Sequence, residues 1–445
     1  MINLFEKYDE RSQNLLRSEL MAKIKLPTVI MEDNGFLPAT VDSPIRYFCG
    51  LEHDNHPALY FDKLPVPAYW RITGTATGGQ VLDLDHKRAN IIFYSNDNSR
   101  LIKEVQWLNT QGQVAWVDCY NQHGRRFAKV VYTNGRPAVK RYYNRKGSPV
   151  LTQNLGAGDL FLNYRGVQRH FPNLIALTTY YLHLCHYDLE RVFYNTLNLS
   201  LNVVLNLPKN GEDTLFWAEP VGNQLPGNMT YLMQHSTRTK HIIFQNYRDW
   251  QRIHKQLPTD SQVDFQYLGI TYPHPRGNAL QPNALILTDS DQLEQFRQLV
   301  TLLPQVTFYV VALTNMSDKL MAMHHYANVK LYPRASDHQI RHLLKICDLY
   351  LDINHGSEIL DAVLGAFEQN MLILGFNNTL HRPQLVLPAN VYAPAGVKQM
   401  AQKILTSLIS PKTMKNLIDS QRKDASEVLP KEYQRVLGAI IDGKA

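Results

Sequence analysis

The chain has 445 residues, of which 44% are hydrophobic and 19% charged, with 23 glycines and 23 prolines; two or three domains with cores of their own are expected, and collagen-like or disordered classes are excluded. Its formal charge of +7, from 46 basic and 39 acidic residues, is modest for this length and argues against a non-specific nucleic-acid binder unless the excess is clustered. Four dispersed cysteines, Cys49, Cys119, Cys185 and Cys347, form no C-x-x-C pair, which points away from a zinc site or a disulfide framework and towards a reducing compartment.

Residues 1–10 carry acids where a signal peptide would have a basic stretch and then an apolar run. The most apolar region, 173–189, is broken by Thr178, Thr179, His183 and His186 and is too short to span a bilayer. A cytoplasmic protein is therefore expected, with any membrane contact peripheral, at the inner face. Within 5–24, Leu15, Leu16, Leu20 and Ile24 recur at three- and four-residue steps and predict an amphipathic helix. Pro27 ends it, and 28–35 reads as a short buried strand followed by a turn.

From about 45 to 165 aromatic and β-branched residues alternate with polar ones and no helical period persists. Gly112, Gly124, Gly135 and Gly147 close four turn signals spaced 11 or 12 residues apart, the rhythm of an up-and-down meander. Within it Arg125, Arg126, Lys129, Arg136, Lys140, Arg141, Arg145 and Lys146 fall in a run with no acid between them. Interleaved with tyrosines and tryptophans, these bases predict a face that meets a protein partner or a membrane surface. A nucleic-acid reading is disfavoured by the missing RNP-type aromatic motif.

After 167 the helical period returns at 174–197. Strands are expected at 199–205, 214–217, 241–244 and 263–270, with a helix start at 226–228 and a helix at 247–256. The turn-rich stretch 272–278 reads as a linker. A second alternation follows: strands at 284–287, 307–312, 329–332, 349–353 and 371–375, and helices at 293–303, 338–347, 358–370 and 397–409. Alternating strands and helices imply mostly parallel sheets. The expected division is 1–44 and 167–275 for a first Rossmann-like domain, 45–166 for an inserted β-meander and 276–445 for a second Rossmann-like domain, with a cleft between the halves outside the strands' carboxyl ends.

Motifs for chemistry are sparse. No G-x4-G-K-[ST] occurs, and Gly156-Ala157-Gly158 lacks a third glycine. Asp83-Leu84-Asp85 and Asp289-Ser290-Asp291 match D-x-D, too short a pattern to define a metal site. His338 and His342 lack the glutamate of H-E-x-x-H, so no metal ligand is assigned. No G-x-S-x-G elbow is present and no cysteine has the context of a nucleophile.

Three segments, 31–38 (MEDNGFLP), 216–229 (FWAEPVGNQLPGNM) and 348–356 (DLYLDINHG), together with the inserted meander, resemble the non-catalytic, chaperone-like subunit of the two-component O-linked N-acetylglucosaminyltransferase that glycosylates serine-rich repeat adhesins of Gram-positive bacteria. The resemblance implies an α/β, GT-B-like fold, a complex with a catalytic glycosyltransferase that uses UDP-N-acetylglucosamine, and a role in stabilising that enzyme and holding the Ser/Thr-rich acceptor polypeptide before accessory Sec export. No cofactor is implied.

Active retaining GT-B enzymes commonly carry E-x7-E ahead of a segment that 366–375 resembles; here the two positions fall on Ser357 and Gly365, with Glu358 one residue away, about 100° round a helix. Such enzymes also hold the donor diphosphate with an Arg and a Lys after the first strand of the second half, where this chain has Asp289, Asp291 and Glu294 and no base. Carboxylates there repel a diphosphate by ~1 to 4 kcal/mol per close pair. A catalytically inactive subunit is thus the reading. Asn223, Asn228, Asn354, His355, Ser357, Asn377 and Asn378 are its acceptor-binding candidates, since extended Ser/Thr chains need hydrogen bonds rather than a strong field. The alternatives are an active GT-B glycosyltransferase using a UDP-sugar and a polypeptide- or glycan-binding module without an enzyme partner.

Overall fold

The computed structural model describes residues 1–75, 78–94, 100–222, 224–258 and 260–442. Contacts divide the chain into two compact units, Met1–Leu268 and Gly269–Ala445.

Unit 1 holds two sheets. The first comprises β1 (Ile2–Phe5), β2 (Thr28–Ile30), β13 (Val192–Tyr194), β14 (Asp213–Trp217), β15 (Thr239–Phe244) and β16 (Asp264–Tyr267), all parallel, in the order β16-β15-β14-β13-β1-β2. Between β2 and β13 the chain builds a ten-stranded antiparallel sheet in strict sequence order: β3 (Trp70–Gly74), β4 (Gly78–Asp83), β5 (His86–Phe93), β6 (Ile102–Leu108), β7 (Val114–Tyr120), β8 (Arg126–Thr133), β9 (Arg136–Tyr143), β10 (Pro149–Asn154), β11 (Leu160–Tyr164) and β12 (Val167–Phe171). Its predicted turns form for a local reason. Asn109, Asn121 and Asn144 each accept two backbone N–H groups through Oδ1, and the glycine three residues on takes a positive φ of 63–78°, a conformation strained for any residue with a side chain.

Four expectations change. A strand, β1, precedes the first helix, which runs Glu10–Met21; four wholly buried residues in a parallel sheet show no alternation to read. The segment 199–205 is not a strand but part of the helix Leu199–Asn206, which buries Ser200, Leu201, Val203 and Val204, because a short apolar run fits either period and packing on the helix Leu174–Leu184 decides. That preceding helix also stops at Leu184, so that 192–194 can form the strand beside β1. The ordered meander spans Trp70–Phe171 rather than 45–166: the helix Pro44–Phe48 packs into the core beneath the parallel sheet, with the buried Arg46 guanidinium donating to the carbonyls of Leu37, Pro38 and Val41.

The first helix of unit 1 buries an acid against the parallel sheet. Glu19 is fully buried on the first helix, and Asn3 Nδ2 donates to its Oε2 at 2.6 Å. Burial lifts its carboxyl to about 8 against the pull of that hydrogen bond. Neither Glu19 Oε1 nor Asn3 Oδ1 has a hydrogen-bond partner, so a proton on the carboxyl supplies the donor that the pair lacks. A raised carboxyl stabilises the fold fully below its unfolded value near 4.5 and loses that contribution as pH rises through about 8. Glu19→Gln is therefore expected to raise stability at pH 8 by on the order of 2 kcal/mol and to flatten the pH dependence between 4.5 and 8; urea unfolding at pH 5 and pH 8 checks it.

Unit 2 is one parallel sheet of β17 (Asn283–Leu287), β18 (Thr307–Val311), β19 (Val329–Tyr332), β20 (Leu349–Asp352), β21 (Leu372–Phe376) and β22 (Val391–Tyr392), in the order β19-β18-β17-β20-β21-β22, with apolar clusters on its two faces. This is the doubly wound order 3-2-1-4-5-6 of Rossmann sheets. The stretch 272–278 is bound into this unit rather than acting as a linker. Tyr272 packs edge-on to Phe367 at 4.8 Å, His274 Nε2 lies 2.9 Å from Glu427 Oε1, and Arg276 pairs with the buried Asp348 at 2.6 Å. The boundary accordingly falls at 268/269 rather than 275/276.

Candidate functional site

Ligands of doubly wound sheets sit outside the carboxyl ends of the strands where the order reverses, which in unit 2 is between β17 and β20. That place is stitched shut by side chains. Thr288 Oγ1 donates to Asn354 Oδ1 at 2.7 Å, Asn354 Nδ2 donates to Asp289 Oδ1 at 3.3 Å, and Ser357 N–H donates to Asp289 Oδ2 at 3.1 Å. Glu294 Oε2 takes His355 Nε2 at 2.8 Å and Asn378 Nδ2 at 2.9 Å, and these contacts hold its carboxyl low despite the burial that opposes them.

The glutamate positions tell the same story. The helix expected at 358–370 forms only at Ala362–Glu368, after Leu360 and Asp361 in left-handed conformation, so Ser357 lies in the preceding loop and does not share a helix face with Gly365. Glu358 is no substitute: its carboxylate takes Arg382 Nε at 2.8 and 3.0 Å and the Val363 N–H at 3.1 Å, while Arg382 also binds Asp361. Behind the loop, His381 Nδ1 lies 2.5 Å from Asp352 Oδ1 and Nε2 lies 2.9 Å from the Gly356 carbonyl.

Of the seven acceptor candidates, Asn354, His355, Ser357 and Asn378 come together in this network, and their polar groups are largely spent on protein partners. Asn377 follows β21 and donates its backbone N–H to Tyr392 O. Asn228 belongs to unit 1, in the first turn of the helix Gly227–Gln234, where Nδ2 donates to Leu197 O at 2.9 Å. Asn223 lies outside the described residues.

An open polar cavity of about 470 Å³ lies instead within unit 1, between the carboxyl ends of β1 and β2 and the inner face of the meander. Lys7, Glu32 and Asp33 reach it from the parallel sheet, and Lys103, Lys140 and Gln153 from the meander. Burial keeps Asp33 above the usual carboxylate range, against the pull of Arg46. It also pushes the Cys119 thiol in the wall up to about 11, so this cysteine is no thiolate nucleophile at neutral pH. The turn at Gly35, φ +86°, lets the β7–β8 corner approach: Gln122 N–H donates to Gly35 O at 2.8 Å, and a Cβ there would meet Tyr120 O at 2.8 Å. Residues 7, 103 and 153 do not stand out in the sequence, whereas Glu32 and Asp33 fall in the segment 31–38 that carries the family resemblance; the position directly after two adjacent parallel strands is what places 7, 32 and 33 at a site.

The basic run divides between faces, as strand alternation requires. Lys140 Nζ stands 4.8 Å over the Tyr142 ring and lines the cavity, whereas its neighbour Arg141 is exposed on the opposite face. Lys129 lies 4.6 Å over Trp116, Arg126 pairs with Asp118 at 3.4 Å, and Arg125 pairs with the buried Asp54 at 2.6 Å. Arg136, Arg145 and Lys146 are exposed at strand ends and turns. The D-x-D acids are also engaged: Asp83 binds Arg88 at 2.6 Å, and Asp291 accepts from Ser317 Oγ at 3.2 Å. His338 and His342 sit on the exposed side of the helix Asp337–Ile346. Among the described residues no group of three or more His, Cys, Asp or Glu side chains could hold a metal, and no helix is long and apolar enough to cross a membrane.

Two Rossmann-type sheets, with a long meander inserted into the first, define a GT-B-like fold. Four family profiles match in series: the GtfB N-terminal domain over 2–48, the GtfB middle domain over 70–172, the GtfB third domain over 175–256 and the GftB/GlyA-F C-terminal domain over 284–421. The UDP-N-acetylglucosamine--peptide N-acetylglucosaminyltransferase stabilizing protein GtfB of Limosilactobacillus reuteri subsp. suis is 52% identical over 441 residues, 99% of each chain. A chain in a crystal structure of a GtfA/B complex bound to UDP and GlcNAc superposes with a TM-score of 0.93 at 37% identity over 99% of both chains. The pneumococcal O-GlcNAc transferase GtfA, at 12% identity and a TM-score of 0.51 over 99% of both chains, shares the fold. The chain belongs to the GtfB family of transferase-stabilizing proteins.

Proposed function

We propose that this chain is the non-catalytic subunit of a protein O-GlcNAc transferase complex: it stabilises and activates a catalytic glycosyltransferase partner and holds a Ser/Thr-rich acceptor polypeptide, of the serine-rich repeat adhesin class, for glycosylation before accessory Sec export. The observation that carries this reading is family membership along the whole chain combined with a nucleotide crevice closed by the chain's own side chains. A crevice bridged by the chain's own side chains, with acids where a donor diphosphate would lie, suits a scaffold better than a catalyst. The acceptor's place is the unit 1 cavity, where cations, acids and the Gln153 amide offer donors and acceptors in near balance, as a chain of hydroxyls and peptide groups requires. The exposed bases Arg136, Arg141, Arg145 and Lys146 serve the partner subunit or the anionic inner membrane face, consistent with a cytoplasmic protein held at the membrane periphery.

Radiolabelled transfer from UDP-N-acetylglucosamine to a Ser/Thr-rich polypeptide tests the reading, with this chain alone, the catalytic partner alone and the two mixed. Stimulation on mixing with no transfer by this chain is expected; turnover by this chain alone overturns it. In the mixed assay Lys140→Ala with Gln153→Ala is expected to raise the KM for acceptor by roughly three- to tenfold, the loss of one or two hydrogen bonds, leaving the KM for UDP-N-acetylglucosamine unchanged.

A further inference from the structure

We propose that unit 2 carries a latent anion cradle, of the class that takes a phosphate or diphosphate group, and that the chain's own Asp289 occupies it. Three features mark the place as a cradle rather than an ordinary loop closure. Two N–H donors on β20's trailing loop, from the Ser357 backbone and Asn354 Nδ2, converge on the two oxygens of one carboxylate at 3.1 and 3.3 Å. Gly356 presents bare backbone to the same group: a Cβ there would stand 1.7 Å from Asp289 Oδ1 and 3.1 Å from Ser290 Cβ, and close backbone approach of an anion is what glycine permits in such loops. Asn354 itself, 3% exposed, is fixed in orientation, because its Oδ1 accepts from Thr288 Oγ1 at 2.7 Å and from the Gly356 N–H at 3.0 Å, which leaves Nδ2 aimed at Asp289 and the Ser357 carbonyl.

A cavity of about 350 Å³ adjoins, with Asp289 and Ser290 on one side and Thr314, Asn315 and Ser317 on the other. The place for an anion and the space for the rest of a nucleotide are thus both present, and the anion is tethered. A carboxylate held on the chain acts at high effective concentration, because it loses little freedom on seating, and it repels any free phosphate that approaches. Unit 1 repeats the device at its own reversal between β1 and β13, where Glu6, 9% exposed, accepts from Leu199 N–H and Thr196 Oγ1 at 3.3 Å each. Each Rossmann-type sheet therefore fills its ligand position with an acid from the loop after its first strand. The consequence is a subunit that keeps the fold of a nucleotide-sugar enzyme yet withdraws no donor nucleotide from a neighbouring active site.

The test uses the full-length chain and inorganic pyrophosphate as probe. Isothermal titration calorimetry compares the wild type, Asp289→Ser and Asp291→Ser, the last removing a charge from the same loop without emptying the cradle. Asp289→Ser is expected to bind pyrophosphate at least about tenfold more tightly than the wild type, and clearly more tightly than Asp291→Ser, whose smaller gain measures the loss of one charge alone; equal gains in the two variants overturn the proposal. Hydrogen exchange at the Ser357 amide is expected to speed up in Asp289→Ser and to slow again when pyrophosphate is added, a recovery that a purely structural role of Asp289 would not produce. If Asp289→Ser does not give the wild-type circular dichroism spectrum, Asp289→Asn, which keeps an acceptor for Ser357 and drops the charge, is expected to bind more tightly than the wild type. A folded variant that binds pyrophosphate no better than the wild type overturns the proposal, as does a wild type that binds it as tightly as Asp289→Ser.

Discussion

Replacing Arg238 by methionine is expected to destabilise unit 1 by about 3–5 kcal/mol, the cost of leaving a buried carboxylate without its counter-ion. Asp213 is wholly buried at the head of β14, and Arg238 is 5% exposed. Their contact is bidentate, Nε to Oδ2 at 2.8 Å and Nη2 to Oδ1 at 3.0 Å. Two further N–H groups donate to the carbonyls of Pro208 and Leu189, each at 2.5 Å, and Asp213 Oδ1 also takes the Val192 N–H of β13 at 2.8 Å. One guanidinium thus joins β13, β14 and the turns that precede β13 and β14. Gly211 leaves room for it, since a Cβ there would meet the guanidinium carbon at 2.1 Å. Urea unfolding followed by tryptophan fluorescence checks the loss. Arg238→Lys should recover only part of it, because an ammonium cannot reproduce the fork; full recovery would show that charge alone, without the planar geometry, holds these strands.

The second large effect is pH-dependent and lies in unit 2. His381 stands against Asp352, 1% exposed in its side chain, and the carboxylate's hydrogen bond is the first cause that raises its pKa to about 9, ahead of the burial that opposes it and the Gly356 carbonyl that helps. A histidine raised in this way stabilises the fold fully below its unfolded value near 6.5 and loses the contribution as pH rises through about 9. Each unit of pH in that window is worth up to about 1.4 kcal/mol, so His381→Gln is expected to cost roughly 2–3 kcal/mol at pH 6 and much less at pH 9.5. Thermal denaturation of both proteins at the two pH values checks this. A stability difference that stays constant between them would mean that His381 acts as a neutral hydrogen-bond donor throughout. The neighbouring Arg382–Glu358 pair, part-buried at 14% and 18% side-chain exposure, keeps the same loop in place over the whole range.

These two sites show why parts of the molecule were readable in advance and others were not. Arg238 and Asp213 are 25 residues apart and His381 and Asp352 are 29 apart, with no spacing rule connecting them. The D-x-D pair at 289–291 and the missing glutamates were legible as a loss of donor-binding chemistry, yet the sequence pattern implied repulsion of a ligand, whereas Asp289 is itself seated where a ligand would be. The residues at 354, 355, 357 and 378 have the hydrogen-bonding capacity an acceptor site needs, but three of them spend side-chain groups on one another's loops. The cavity of unit 1 has no signature in the sequence because β1, which leads into it, has none: its four residues are buried on both faces and carry no alternation.

What the amino-acid sequence determined by itself was whatever local chemistry encodes. The meander belongs here, because an Asn that caps its own turn and a Gly that accepts positive φ act within four residues. So do the alternation of strands and helices in 283–407 and the loss of the donor-site charges. Only the tertiary structure decided which apolar runs became strands, as at 192–194, and which became helix, as at 199–206, because burial against a neighbour outweighs the weak preference of a short segment. It also decided which bases of the meander face the cavity and which face outward, since adjacent residues on a strand point to opposite sides and the packing of a distant segment determines which side is enclosed.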